Sequence, residues 1–387
     1  MPDSPSTSAP YADRLPPGVT SRYVDNNRGL RMHLLEAGAA DAPVVLLLHG
    51  FPELAFSWRY VMPRLAEAGY RVIAPDQRGY GQTTGWDASY DGDLFGFRML
   101  NLVRDEVALL AALGIREVAA VVGHDAGAGV AGWCALTRPD VFRSVAMMSA
   151  PFAGPPSLPF GTAEGGSAAR PADTFHEDLA SLDLPRKHYQ WYYSTREAND
   201  EMWHPPQGVH DFLRAYYHHK SADWPGNRPF PLAAWTAAEA AQMPTYYIMP
   251  LGSTMPEAVA VEMPSAAQVE ACRWLPDDDL AVYAAEYGRN GFQGGLQWYR
   301  CNTSGLNAGE LALFSGRAIE VPATFISGAQ DWGIHQRPGS LERMQREACR
   351  DFRGLHLIEG AGHWVQQEQP EETARLLIDF VEGTRSR

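Results

Sequence analysis

Residues 118–139, VAAVVGHDAGAGVAGWCALTRP, decide the fold. The apolar run from Val118 to Val122 reads as a buried strand, and the small residues from Ala126 onward read as a helix closed by Pro139. Between them stands Gly123-His124-Asp125-Ala126-Gly127. Glycines two positions either side of Asp125 permit a sharp strand-to-helix turn. The middle residue then adopts a strained backbone and holds its side chain out. The turn also sets Asp125 at a helix N-terminus, where the dipole and free N–H groups favour negative charge. A helix-capping aspartate would fit the five residues alone, but the strand before and helix after favour a reactive carboxylate.

The same alternation continues outward. RMHLLEAG (31–38), VVLLLHG (44–50), RVIAPD (71–76) and FRSVAMMSA (142–150) read as strands. SWRYVMPRLAEAG (57–69) and residues 98–113 have helical spacing and stop at Gly69 and Gly114. Near the C-terminus VPATFISGAQD (321–331) and GLHLIEGAGH (354–363) are strands again, and PEETARLLIDFVEG is the last helix. Continuous apolar strands separated by helices predict an α/β fold with a mostly parallel sheet covered on both faces. Between 151 and 311 the alternation stops, and residues 186–300 hold 19 of the chain's 42 aromatics. That region reads as an inserted, mostly helical lid. The expected organisation is a disordered segment 1–17, a first core part 18–150, the lid 151–311 and a second core part 312–387.

Composition narrows the function. A chain of 387 residues, 45% apolar and 20% charged, suits one large α/β domain with an insertion. The net charge of −14, with no basic stripe, argues against a nucleic-acid partner. Only Lys187 and Lys220 are lysines. Cys134, Cys272, Cys301 and Cys349 are widely separated, which supports neither a metal site nor a disulfide framework. The first residues lack the pattern of a signal peptide, and no run approaches the roughly 18 apolar residues of a membrane span. The expectation is a soluble cytoplasmic protein.

Five segments, taken in order, carry a family resemblance. They are His49-Gly50-Phe51-Pro52-Glu53, Asp76-Gln77-Arg78-Gly79-Tyr80-Gly81, the turn at Asp125, Gly291-Phe292-Gln293-Gly294-Gly295-Leu296-Gln297-Trp298-Tyr299-Arg300, and Gly360-Ala361-Gly362-His363-Trp364. From about residue 20 to its end the chain resembles the α/β-hydrolase fold and, within it, the soluble epoxide hydrolases with an aspartate nucleophile. That fold needs nucleophile, acid and histidine in chain order. Asp125, Asp331 and His363 supply it. His49 and His124 read as loop-shaping residues, and the Asp76–Gly81 loop as a turn braced by an Arg–Asp pair.

An aspartate nucleophile is already ionised at neutral pH and displaces at a strained or activated carbon to give an ester, which water then splits with histidine as base. The resemblance implies an oxyanion hole from the N–H groups of Phe51 and Ala126. It also implies two lid tyrosines, Tyr189 and Tyr299, as donors to the oxirane oxygen, with Tyr192 the substitute for Tyr189. Pro52, Gln190, Trp298 and Trp364 are expected to line the pocket. A small apolar epoxide and water are the implied reactants, with no cofactor and no metal. Dehalogenases of this fold usually carry Trp or Arg after the nucleophile; Ala126 argues against them, and departs from many epoxide hydrolases as well. A dehalogenase or other Asp-nucleophile α/β hydrolase is the alternative, with a non-catalytic ligand-binding protein of this fold behind it. The long segment 225–275 either narrows the entrance or binds a neighbouring subunit, giving a homo-oligomer through the lid.

Overall fold

The computed structural model describes residues 10–156 and 174–385. Its strands are β1 (Val19–Asp25), β2 (Arg31–Ala37), β3 (Val44–Leu48), β4 (Arg71–Pro75), β5 (Ala120–His124), β6 (Val145–Met148), β7 (Arg186–His188), β8 (Ile248–Pro250), β9 (Ile319–Gly328) and β10 (Cys349–Ile358). Eight form one sheet in the order β1-β2-β4-β3-β5-β6-β9-β10, while β7 and β8 pair separately. Within the eight-stranded sheet the pairings from β4 through β3, β5, β6 and β9 to β10 are parallel, and β1–β2 and β2–β4 are antiparallel.

Burial explains the central strands. Every residue of β3, β5 and β6 is buried, and each such Val or Leu contributes roughly 1.5–3 kcal/mol. The helix Ala126–Thr137 packs on β5 and β6. Its long run of buried small residues brings its backbone close to the sheet. At the margins the sequence hides more. Only Val19 of β1 is buried, so no apolar run announces that strand, although all seven residues pair with β2. β10 begins five residues before the expected position, in a stretch whose register against β9 shifts twice.

The expectation of disorder through residue 17 is corrected from Pro10 onward; residues 1–9 lie outside the described ones. Tyr11 is buried, its ring 5.3 Å from Phe56 and 6.0 Å from His33, and Arg14 pairs with Asp278 at 2.6 Å. An apolar ring in a polar, proline-rich stretch is enough to pin that segment.

Among the described residues between β6 and β9 the chain is mostly helical, with Gly208–Lys220, Asp277–Asn290 and Gln293–Thr303 the longest helices. Of the expected lid, residues 157–173 lie outside the described ones. Part of the 225–275 segment folds back onto this layer. Trp235 stacks on Phe175 at 4.4 Å, and β8 pairs antiparallel with β7. Among the described residues no helix is long and apolar enough to cross a membrane. The four cysteines are free thiols.

Candidate active site

Asp125 follows the end of β5 with φ 51° and ψ −119°, a left-handed backbone that costs a non-glycine residue strain. The flanking glycines make it possible. A Cβ on Gly123 would run into the Gly127 carbonyl, and one on Gly127 would lie 2.5 Å from the carbonyl oxygens of Leu48 and His49. A Cβ on Gly50 would meet the Cβ of Asp125 at 2.5 Å. Three elements therefore meet at glycine backbones.

The two oxygens of Asp125 face different partners. The Phe51 N–H donates to Oδ1 at 3.1 Å. His363 Nε2 lies 3.4 Å from Oδ2, close but without hydrogen-bond geometry. On the other side of the imidazole, Nδ1 donates to Asp331 Oδ1 at 3.1 Å. Asp331 is itself held by the Gly333 N–H at 2.7 Å and the Ser327 hydroxyl at 3.2 Å. Asp125, His363 and Asp331 thus stand together in the expected order, fixed by turns after β5, β10 and β9. Burial opposes ionisation of Asp125; His363, Lys220 and His124 outweigh it and hold the carboxyl well below the usual range. Asp331 is likewise lowered, burial being overcome by His363 and the Gly333 N–H. Both are carboxylates at neutral pH.

A cavity of about 240 Å³ opens over Asp125. Ala126, Tyr189, Gln190, Tyr299 and Ile334 line it with Asp125. Tyr189 follows β7 directly, and its N–H donates to the Tyr247 carbonyl at 2.9 Å, so the β7–β8 pair sets its place. Burial, with the Asp125 charge second, raises both Tyr189 and Tyr299 above the usual phenol range. They remain protonated donors. Tyr192, the substitute, is absent from the lining; its ring lies under the Lys187 ammonium at 4.9 Å.

Three expected pocket residues are not in that lining. The Pro52 carbonyl accepts from the Tyr217 hydroxyl at 2.8 Å. Trp298 donates its indole N–H to the Arg78 carbonyl at 3.0 Å, and Trp364 gives its own to Tyr217 at 2.8 Å. The two indoles are thus committed to core contacts beside Tyr299 and His363, and Pro52 to one beside Phe51. The Asp76–Gly81 loop is braced by an Arg–Asp pair, with the aspartate supplied from outside the loop. Asp76 pairs with His33 at 2.7 Å, while Arg78 grips Asp105 at 2.6 and 3.0 Å.

Other positions carry more than their motifs suggested. His124 places Nδ1 2.6 Å from Glu53 and Nε2 2.7 Å from the His363 carbonyl. Both nitrogens face acceptors, which calls for imidazolium. Burial works against that charge and Glu53 outweighs it, raising His124. The backbone of His363 is also tied by its N–H to the Lys220 carbonyl at 2.9 Å. Glu368 accepts from Gly362 and Trp364 N–H groups, both at 3.0 Å. Glu368 and Lys220 have no motif of their own; Lys220 was visible only as one of two lysines.

Comparison with known proteins decides the family. A family model described as alpha/beta hydrolase fold matches residues 43–370. Epoxide hydrolase B of Mycobacterium tuberculosis is 35% identical over 373 residues, covering 93% of this chain and 98% of that protein. The chain belongs to the epoxide hydrolases of the α/β-hydrolase fold. Epoxide hydrolase A of the same organism is 34% identical, over 95% of this chain and 99% of its own. The solved structure of an epoxide hydrolase from an endophytic Streptomyces superposes with a TM-score of 0.75 at 32% identity, covering 96% of this chain and 97% of that one. The mostly parallel eight-stranded sheet is therefore the family's fold, and the reading of fold and family from five sequence segments holds.

Proposed function

We propose that this protein adds water to an oxirane to give a vicinal diol, through an ester on Asp125. One observation carries the reading: a carboxylate, held ionised at the strained turn, shares a cavity with the two protonated tyrosines Tyr189 and Tyr299. Asp125 Oδ2 attacks an oxirane carbon while the ring C–O bond breaks, and a tyrosine hydroxyl gives its proton to the departing oxygen. The product is a hydroxyalkyl ester and a tyrosinate. His363 Nε2 then takes a proton from water as the hydroxide attacks the Asp125 carbonyl carbon. The resulting oxyanion forms at Oδ1, where the Phe51 N–H already points and the Ala126 N–H opens the helix. Each such donor is worth about 10²–10³ in rate. Collapse releases the diol and the Asp125 carboxylate, and the proton on His363 restores the tyrosine.

A halide leaving group needs donors such as indole N–H groups around it. Among the described residues no tryptophan lines the cavity, and Ala126 brings none. Dehalogenation is the weaker reading for that reason. The test is a panel of styrene-type, aliphatic and trans-disubstituted epoxides scored for diol beside haloalkanes scored for halide. Diol from at least one epoxide without halide release is expected. Halide release without diol would overturn the assignment.

A further inference from the structure

Among the described residues, three other than glycine have a positive φ: Asn27, Asp125 and Ser149. Asn27 lies exposed between β1 and β2, and asparagine tolerates that conformation. Asp125 carries the chemistry proposed above. Ser149, with φ 63°, is buried directly after β6. The Ala150 N–H donates to the Met148 carbonyl at 2.7 Å, closing a three-residue turn of the strained kind about Ser149. Glycine would take this backbone without strain, so the side chain calls for a reason. The turn touches all three loops of the site. The Met148 carbonyl accepts from the Asp125 N–H at 3.1 Å. The Ser149 carbonyl oxygen lies against Gly333, where a Cβ would be 2.5 Å from it, and the Gly333 N–H is the one that holds Asp331. The Ser149 hydroxyl donates to the His363 carbonyl at 3.2 Å. That carbonyl also takes the His124 Nε2 proton at 2.7 Å, with Ser149 Oγ 3.2 Å from the same nitrogen. Both lone pairs of the His363 carbonyl are thereby used. The Ser149 hydroxyl also helps hold Asp331 ionised, after His363 and the Gly333 N–H.

From this juxtaposition we infer that Ser149 is a positioning residue for the base. Its hydroxyl fixes the His363 peptide, and through it the imidazole, for the step in which water splits the Asp125 ester. The inference rests on the hydrolase reading above and adds to it a residue that acts in one half-reaction. The imidazole stands 3.1 Å from Asp331 and 3.4 Å from Asp125. Its tolerance is small, since a misplacement of about 1 Å can lower a rate about 10²-fold. The His363 N–H is fixed separately, by the Lys220 carbonyl at 2.9 Å. The carbonyl on the other side of the residue depends on His124 and Ser149. Ring opening by Asp125 needs no base and does not draw on this arrangement. A serine in a backbone that favours glycine thus lowers the stability of the fold and secures the base.

The experiment compares Ser149→Ala, which removes the hydroxyl and keeps the strained backbone, with Ser149→Gly, which removes both. Styrene oxide, or the panel epoxide that the wild type turns over fastest, is mixed with each protein. Rapid quenching and intact-protein mass then follow the two half-reactions. In both variants alkylation should stay within about twofold of wild type, while ester hydrolysis slows about three- to tenfold, the worth of one hydrogen bond. Alkylated protein should accumulate as a result. The urea midpoint of Ser149→Gly should exceed that of Ser149→Ala, so that the better-folded variant is still slow. Hydrolysis at the wild-type rate in Ser149→Gly would overturn the inference, because the hydroxyl would then be dispensable. Equal slowing of both half-reactions would overturn it too, as the mark of a purely structural residue. If the wild type formed neither alkylated protein nor diol, the hydrolase reading would fail instead. The low-field proton resonance of His363 Nδ1, identified by its absence from His363→Gln, would still read the placement of the ring. Its displacement or broadening in both Ser149 variants supports the inference, and an unchanged line rejects it.

Discussion

The Tyr189 hydroxyl donates to Gln336 Oε1 at 3.2 Å, while accepting from Gln190 at 3.1 Å. Tyr299, on the same cavity, makes no hydroxyl hydrogen bond among the described residues. The two donors are therefore unequal. Tyr299 has its proton free for the oxirane oxygen; Tyr189 must first leave Gln336. Phenylalanine at 299 should slow ring opening more than phenylalanine at 189, and each single variant should keep measurable activity. The double variant should lose about 10²–10⁴, the usual worth of a general acid. Single-turnover alkylation rates test the order; equal losses in the single variants would show that Gln336 does not restrain Tyr189.

Close backbone approach at the turn gives a stability prediction. A methyl group at 127 has the carbonyl oxygens of Leu48 and His49 2.5 Å away, with no flexible side chain to yield. Gly127→Ala should destabilise by about 1–3 kcal/mol, the range for overpacking a tight interior. Gly309→Ala, with nothing near its Cβ, is the control. Urea midpoints for the two variants would separate them, and similar values would mean that the turn has slack.

How much of this was legible in the sequence follows from what each feature needs. The turn at Asp125 was readable because strained backbone demands glycine at fixed offsets. The central strands were readable because burial on both faces leaves only apolar residues. β1 was not, since a margin strand buried at one residue carries no apolar run. Tyr189 and Tyr299 could be named through their segments. The partners that make them unequal, Gln336 and Gln190, are ordinary glutamines until the fold brings them together. Trp298 and Trp364 misled because a large ring beside a functional residue suggests a wall. Their N–H groups in fact find carbonyls in the core. Glu368 holds the loop of His363 through backbone N–H groups, a role any acceptor of that reach could fill, so no motif marks it.

The pairing of Asp76 with His33 sets part of the acid sensitivity. Burial opposes ionisation of Asp76, but His33 and its backbone donors outweigh that and bring the carboxyl down to about 2 from an ordinary 3.8. A carboxylate depressed in the folded state stabilises the fold above its unfolded value, and that contribution is lost as pH falls through the folded one. It should amount to about 2 kcal/mol, disappearing between about pH 4 and pH 2. Asp76→Asn should be less stable at neutral pH and show a shallower decline in acid. Chemical denaturation at a series of pH values tests this; parallel curves for the two proteins would remove Asp76 from the acid response.

The different partners of the two Asp125 oxygens predict different failures for the two catalytic variants. Oδ1 already accepts from the Phe51 N–H, and Oδ2 faces His363 at 3.4 Å without a bond to it. Attack through Oδ2 needs no base, whereas hydrolysis needs His363. Asp125→Ala should form no diol and gain no mass with substrate. Alanine is the better choice because an asparagine amide can hydrolyse back to aspartate. His363→Gln should alkylate and then stall, so that the intact protein gains the mass of one epoxide on the peptide containing Asp125. In heavy-oxygen water, a single turnover of the wild type should place the label in the Asp125 carboxylate and leave the first diol unlabelled, because water attacks the ester carbonyl rather than the substrate carbon. Labelled diol from that first turnover, with no mass gain in His363→Gln, would mean direct attack by water; Asp125 would then act only as a charge beside the oxirane, and the ester route would be wrong.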